Sequence, residues 1–528
     1  MDMQGKKHFQ EKLFTNFQLS ERVPQDNFYR RLKEVLPLQW LYKATKKYYG
    51  SEGQLSIDPV VFFKLMLIGY LENQPGDRRI IKMASLRLDM LYFIGYDIDE
   101  PLPWHSTLSR TRQLYGEEVF KELFKKVLGL CIDKGMVAGK RQAMDSVAVQ
   151  ANASMESLRR KEVLNDIDNY TEELSDDEQE NENDTDPKNT DLQNSQESKQ
   201  VPPSDKDASY KGPAWNKSVS NDLVESTTDK DARVSVKPGK ARRLNYLAQV
   251  SVDTANHVIT QIQSDLADKK DSQCVPRLLH NTINNLSEHG LDIQEILADG
   301  NYSSSESLRA LEDNNVTGYI PNFGQYKLFR EGFFYDKQND RYICSQGKVL
   351  EFKYMRESHG NGNKMKQYRS SSKDCSVCPL RPQCIGKSLF KTISITVENE
   401  LFKKMYYRLQ TPMAKKMKTL RSSTVEPVLG TLVNFLGMRR VHTKGIALAD
   451  KCMTMAAIAY NIKKLLKWGN RLTIVAKSEI KNMKESISKL IFHFFEIRLT
   501  TESYTRLKNI KALSNQFEWL NDAHTIFL

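Results

Sequence analysis

The sequence predicts an α/β fold: a mixed five-stranded sheet flanked by helices, with an all-α domain in front and a cysteine-containing insertion behind. Three observations predict it. Residues 243–253 alternate, with Leu244, Tyr246, Ala248, Val250 and Val252 on one face, as a half-buried strand requires. Two strand-like apolar runs end or break at single aspartates, Asp145 and Asp299. Val425, Val428, Leu429, Leu432, Val433 and Leu436 recur at the helical period.

The totals bound the reading. A chain of 528 residues exceeds one ordinary core, so two to four domains are expected. Hydrophobic residues are 39% and charged residues 27% of the chain, ordinary for a globular protein. No apolar run approaches the roughly 18 residues of a membrane span, and the start of the chain lacks the apolar stretch of a secretory signal. A cytoplasmic location is expected. Net charge is +12, but residues 161–200 hold 14 acids against 3 bases, so the remainder carries about +23. A basic body with one acidic segment suits a polyanionic partner. High basicity serves solubility equally well.

Taken in order, residues 1–135 read as a helical domain for DNA binding or assembly. Ser56-Ile-Asp58-Pro59 offers an N-cap with proline at the first helical position, opening an apolar helix to about Leu71. A second helix is expected over Asp77–Leu88, and a third from near Ser106 to about Asp133. Arg78, Arg79, Arg110 and Arg112 decorate these helices, either as a DNA-facing surface or as the solvated side of amphipathic helices.

Residues 142–150 read as a strand carrying Asp145. Residues 156–225 form an acidic, largely disordered insertion, too poor in apolar residues to offset ordering entropy. Then come the strand 243–253, a turn at Asp253–Asn256 and a returning strand from His257 to Ser264. A helix over about Ser272–Leu286, a strand Ile293–Ala298, a helix Ser303–Asn314 and a strand Val316–Ile320 follow. The core is thus assigned to 136–155 and 226–321, with its final helices in 401–470. This order matches an RNase H-like sheet, in which one acid sits on the central first strand and another just past the fourth.

Residues 322–400 interrupt the core. Cys344, Cys375, Cys378 and Cys384 give C-x30-C-x2-C-x5-C, which suits either a structural zinc or four free thiols. Pro427 is expected to keep Glu426 near a helix start or kink. Another helix spans Gly445 to about Trp468, and 471–528 form a basic tail with an amphipathic helix near Lys477–Ile497. Lys240, Arg242 and Arg243, in a Gly/Pro-bearing segment, either grip phosphates or belong to a linker.

Two Asp and one Glu far apart in sequence are what a fold needs to hold divalent cations against phosphate. Singly, each acid has an ordinary structural explanation: a strand end for Asp145, a turn for Asp299, a helix cap for Glu426. Their surroundings are similar to those of one family. Asp145-Ser-Val-Ala-Val-Gln-Ala-Asn-Ala-Ser154, Ser226–Arg233, Ala298-Asp-Gly-Asn-Tyr-Ser303, Cys378-Pro-Leu-Arg-Pro-Gln-Cys384 and Arg421-Ser-Ser-Thr-Val-Glu-Pro-Val-Leu-Gly430 resemble bacterial insertion-sequence transposases of the DDE class. Pro103–Arg110 resembles the helical domain that precedes their core. The similarity covers about residues 10–468. It implies a recombinase that cuts element ends and joins the freed 3′-OH to target DNA, with Asp145, Asp299 and Glu426 holding two Mg²⁺ or Mn²⁺ ions. It also implies double-stranded DNA partners (terminal inverted repeats and target), a homodimer in the synaptic complex and a nucleoid-associated location. Many relatives carry a lysine on the turns after the glutamate. Leu432 and Val433 stand there instead, so phosphate contacts fall to Arg421, Arg439, Arg440 or Lys444.

Overall fold

The computed structural model describes residues 17–50, 52, 56–161, 220–235, 242–322, 330–357, 363–468 and 486. The chain divides into two compact units, residues 1–464 and 465–528. Of the second, residues 465–468 are the last turn of a helix. Most of the acidic insertion (162–219), Lys240 and the amphipathic tail lie outside the described residues.

The first unit opens with eight α-helices among the described residues: Leu19–Arg22, Phe28–Val35, Trp40–Thr45, Pro59–Leu71, Asp77–Ala84, Leu88–Ile94, His105–Leu114 and Glu117–Asp133 (α1–α8). Helix α4 starts where the sequence places it. The Asp58 carboxylate accepts from the Val60 and Val61 amides at 2.6 and 3.2 Å, and Pro59 takes the first position, where no amide is needed. Its residues are buried all round except Lys64. The expected helix Asp77–Leu88 is α5, which ends earlier, at Ala84, and a separate helix α6 begins at Leu88. The expected helix from Ser106 to Asp133 also breaks, at Tyr115-Gly116. Tyr115 is buried against Phe62 and Phe63, and that anchor turns the chain between α7 and α8.

The main sheet is six-stranded and mixed. Its strands are Arg141–Gln150 (β1), Arg233–Ser235 (β4), Arg243–Asp253 (β5), Ile259–Leu266 (β6), Glu295–Leu297 (β7) and Thr317–Tyr319 (β8); Leu158–Arg160 (β2) pairs apart with Val224–Ser226 (β3). β5 lies antiparallel to β1 and also pairs with β6 and the short β4, while β7 and β8 run parallel to β1. The short β4 is the strand that the five-stranded expectation lacks. β5 is buried on both faces, not half-buried, because helices pack over it. Its polar residues are partnered: Gln249 bonds Asp271 and Tyr302, and Asp253 accepts from the Gly139 amide and Gln142.

Helices Asp271–Ser287 (α9) and Ser305–Asp313 (α10) follow β6 and β7. A second, five-stranded antiparallel sheet follows β8: Phe333–Asp336, Arg341–Cys344, Val349–Glu357, Lys364–Ser370 and Thr392–Thr396 (β9–β13), carrying short helices Ser372–Ser376 (α11) and Arg381–Cys384 (α12). The chain then forms Asn399–Leu409 (α13), Pro412–Phe435 (α14) and a helix over 446–468 (α15). One core joins Met144 and Ile296 of the main sheet to Leu278, Leu279, Leu308, Leu311, Phe402 and Met405 of α9, α10 and α13. α15 covers the free edge of β6. Asp450 accepts from the Ser264 amide, while the Asn461 amide side chain bonds both backbone groups of Ile259, at 3.0 and 2.9 Å. Eleven residues of helix and five of strand each span about 16 Å, so the two contact points match in spacing. The edge is thereby closed to pairing with other strands.

Candidate active site

Ala143 of β1 and Leu297 of β7 are register partners in adjacent parallel strands. Two residues further along each strand stand Asp145 and Asp299. The side chain of Met144 enters the core beneath α9, so its neighbour Asp145 turns to the opposite face, towards α14. Asp299 lies just past β7 and caps a short 3-10 turn through the Asn301 amide, at 2.9 Å.

Glu426 is carried by α14. The helix runs unbroken through Pro427, so the glutamate sits in its middle, not at a start. The turns on either side are fixed by the buried Val425, Val428 and Leu429, and this packing overrides the bias of a residue before proline. Its side chain is 62% exposed. Arg421, one and a half turns earlier, joins the acids. Its guanidinium donates to Asp145 Oδ2 at 2.9 Å and lies 3.6 Å from Glu426 Oε1, with the side chain 16% exposed.

Burial holds the Asp145 carboxyl above the usual carboxylate range; the Ser146 amide and Arg421 pull it back, and the charge of Asp299 adds to the rise. Burial likewise raises Asp299, with Asp271 adding to the rise, while the Asn301 amide and Arg421 oppose it. Behind this pair lies a buried relay that sequence reading did not single out. Tyr302 donates to Gln249 Oε1 at 2.7 Å, and Gln249 donates to Asp271 at 3.0 Å.

The donor set suits a hard divalent cation, which prefers carboxylate oxygens. In this arrangement the Arg421 guanidinium takes the ground between Asp145 and Glu426. Among the described residues, no three His, Cys, Asp or Glu side chains gather closely enough to hold a metal. The four cysteines of the zinc expectation lie in and around the second sheet. Cys344, at the end of β10, packs against the core of the second sheet. Cys375 bonds Ser370 at 3.0 Å, and Cys378 and Cys384 ride the segments beyond; none of the four forms a disulfide.

The basic candidates separate. Arg112 is 4% exposed, paired with Asp77 and donating to Met66 Sδ, so it holds the core of the helical domain and faces no ligand. Arg78, Arg79, Arg110, Arg243, Arg439, Arg440 and Lys444 are exposed, while Arg242 is half-buried. Two of these groups adjoin. Asn73 donates to the Asn434 carbonyl and accepts from the Gly437 amide, tying the α4–α5 turn to the segment after α14. Gly437 has φ +69°, and a Cβ there would lie 2.8 Å from Pro75, so only glycine fits this junction. Arg440 and Arg79 both help burial depress the pKa of His442. The segment Thr227–Arg233 serves the fold: Asp229 accepts from the Tyr246 hydroxyl and the Gly445 amide, and Asp231 from the Ile446 amide, fixing the start of α15.

Two family models match the chain. Residues 17–114, which span α1–α7, match the model described as Transposase domain (DUF772). Residues 343–466, which include Arg421 and Glu426, match the one described as Transposase DDE domain. Both matches are to transposase domains, so these two segments of the chain are similar to those of transposases. Together the two matches support an insertion-sequence DDE transposase. No curated protein matches the chain. No helix among the described residues is long and apolar enough to cross a membrane.

Proposed function

We propose that the protein cuts the ends of its own insertion element by phosphodiester hydrolysis and then joins each freed 3′-OH to target DNA. The observation that carries this reading is the convergence on one guanidinium: Asp145 and Glu426 both reach Arg421, and Asp299 ends the strand beside Asp145. The strand order, with β1 central, an antiparallel β5–β6 pair on one side and parallel β7 and β8 on the other, supports an RNase H-like core.

DDE transposases generally use divalent metal ions. Asp145, Asp299 and Glu426 would hold Mg²⁺ or Mn²⁺, which when bound activates the attacking oxygen and stabilises the leaving one. The chain's own part is positioning. The β1–β7 register fixes two acids, and α14 brings the third from the solvent side, where its exposure leaves room for a phosphate. Arg78, Arg79, Arg439, Arg440 and Lys444 offer exposed charge, with Arg439 and Arg440 beside Gln150 at the end of β1, suited to the backbone of double-stranded DNA. A homodimer, joining two ends, and a cytoplasmic, nucleoid-associated location follow from the same reading.

The test is incubation with the element's end DNA plus Mg²⁺ or Mn²⁺, comparing wild type with Glu426→Gln. Metal-dependent nicking followed by strand transfer, both lost in the variant, is expected. Nicking without joining of pre-cleaved ends would reduce the protein to a nuclease. Undiminished nicking by Glu426→Gln would remove the glutamate from the site.

A further inference from the structure

We propose that Arg421 is a built-in counter-ion of the acidic pocket, which holds Asp145 and Glu426 in the absence of divalent ions and must release them when ions enter. The inference rests on the three acids being the metal-binding set.

The guanidinium is well placed for such a role. It makes a charge-assisted hydrogen bond of 2.9 Å to Asp145 and lies 3.6 Å from Glu426, so one planar fork addresses two carboxylates. Its side chain is 16% exposed and that of Asp145 19%, so this contact is little screened by water. Arg421 also opposes the rise that burial imposes on both Asp145 and Asp299, so its charge is felt at each of them. The charges of Asp145 and Asp299 repel one another. A cation supplied by the chain relieves that repulsion at no cost in ion concentration. The same contact works against a metal, because the Asp145 oxygen that accepts from Arg421 is one that an incoming ion would need. Metal entry is thus an exchange of one cation for another.

Arg421 and Glu426 lie five positions apart on α14, about 100° × 5 = 500° around the axis, or some 140° from facing the same way. The two side chains reach each other only by bending across the helix surface. Rotation of the long Arg421 side chain about its own bonds is therefore enough to free both acids, with no movement of α14.

The experiment is Mn²⁺ binding to the full-length protein without DNA, read by the loss of the free-ion EPR signal. Wild type is compared with Arg421→Ala, Arg421→Gln, Arg421→Lys and Asp145→Asn. Removing a charge-assisted bond to the ligand should tighten Mn²⁺ binding about tenfold in the Ala and Gln variants. Lysine keeps the charge but not the fork, so its affinity should fall between these and wild type. Thermal unfolding gives a second readout. Both neutral variants should melt lower than wild type without Mn²⁺ and gain more on its addition. Equal or weaker Mn²⁺ binding in both neutral variants overturns the proposal, since Arg421 would then support the metal site instead of competing with it. Asp145→Asn separates this failure from that of the function itself. If it binds Mn²⁺ as wild type does, the acids are not the metal set; if it loses binding while the Arg421 variants match wild type, only the counter-ion role falls.

Discussion

Asp145 on β1 and Asp299 just past the end of β7 each lie two residues beyond the register pair Ala143 and Leu297. Adjacent strands lie about 4.8 Å apart, so the backbone itself sets the spacing of the two acids. Because β7 is only three residues long and is held by β1 and β8, the position of Asp299 depends on that pairing. Substituting the carboxylate alone should leave the fold intact. Asp299→Asn is expected to lower end cleavage by roughly a thousandfold or more while the unfolding midpoint stays within a few degrees of wild type. Paired cleavage assays and thermal melts check this. Retained cleavage would exclude Asp299 from the chemistry.

Much of the core was legible in the sequence for a physical reason: period-two alternation and N-cap chemistry are local. β5 appears at its expected bounds, 243–253, and α4 begins at Pro59 behind the Asp58 cap. What escaped depends on distant partners. Burial of the second face of β5 comes from the helices stacked on it. The break between α7 and α8 comes from Tyr115 anchoring in the Phe62–Phe63 cluster. Glu426 lies mid-helix because the turns around Pro427 are packed, which a rule about the residue before proline does not weigh. In the site, the three acids were readable as candidates, but the grip of Arg421 on Asp145 spans 276 positions and has no local signature.

Arg112 illustrates the same limit with a measurable consequence. Its guanidinium is buried and paired with Asp77, so removing the acid leaves an uncompensated charge inside the helical domain. Asp77→Ala should destabilise the protein by about 3–5 kcal/mol, and Arg112→Met by clearly less, since an apolar chain of similar length fills the same space. Urea unfolding of both variants decides it. Equal losses would mean that the pair's packing, not the stranded charge, sets the cost.

Lys64 is the one cation on the otherwise buried α4, and burial brings its pKa down to about 8. An unfolded lysine titrates near about 10.4, so between these values the unfolded chain binds more protons than the folded one. Stability contributed through this residue should therefore rise as pH rises from about 8 towards 10. Lys64→Met removes the titration. The difference in unfolding free energy between variant and wild type should favour the variant at pH 7 and shrink as the solution becomes alkaline. A difference independent of pH would contradict the burial of the ammonium.

The most direct test is crystallographic: the protein soaked with Mn²⁺ in complex with its end DNA, with manganese located by anomalous scattering. The account predicts manganese about 2 Å from carboxylate oxygens of both Asp145 and Asp299, with the Arg421 guanidinium withdrawn from Asp145. Manganese bound elsewhere, with Asp145 and Asp299 untouched and Arg421 still in place between the acids, would contradict it.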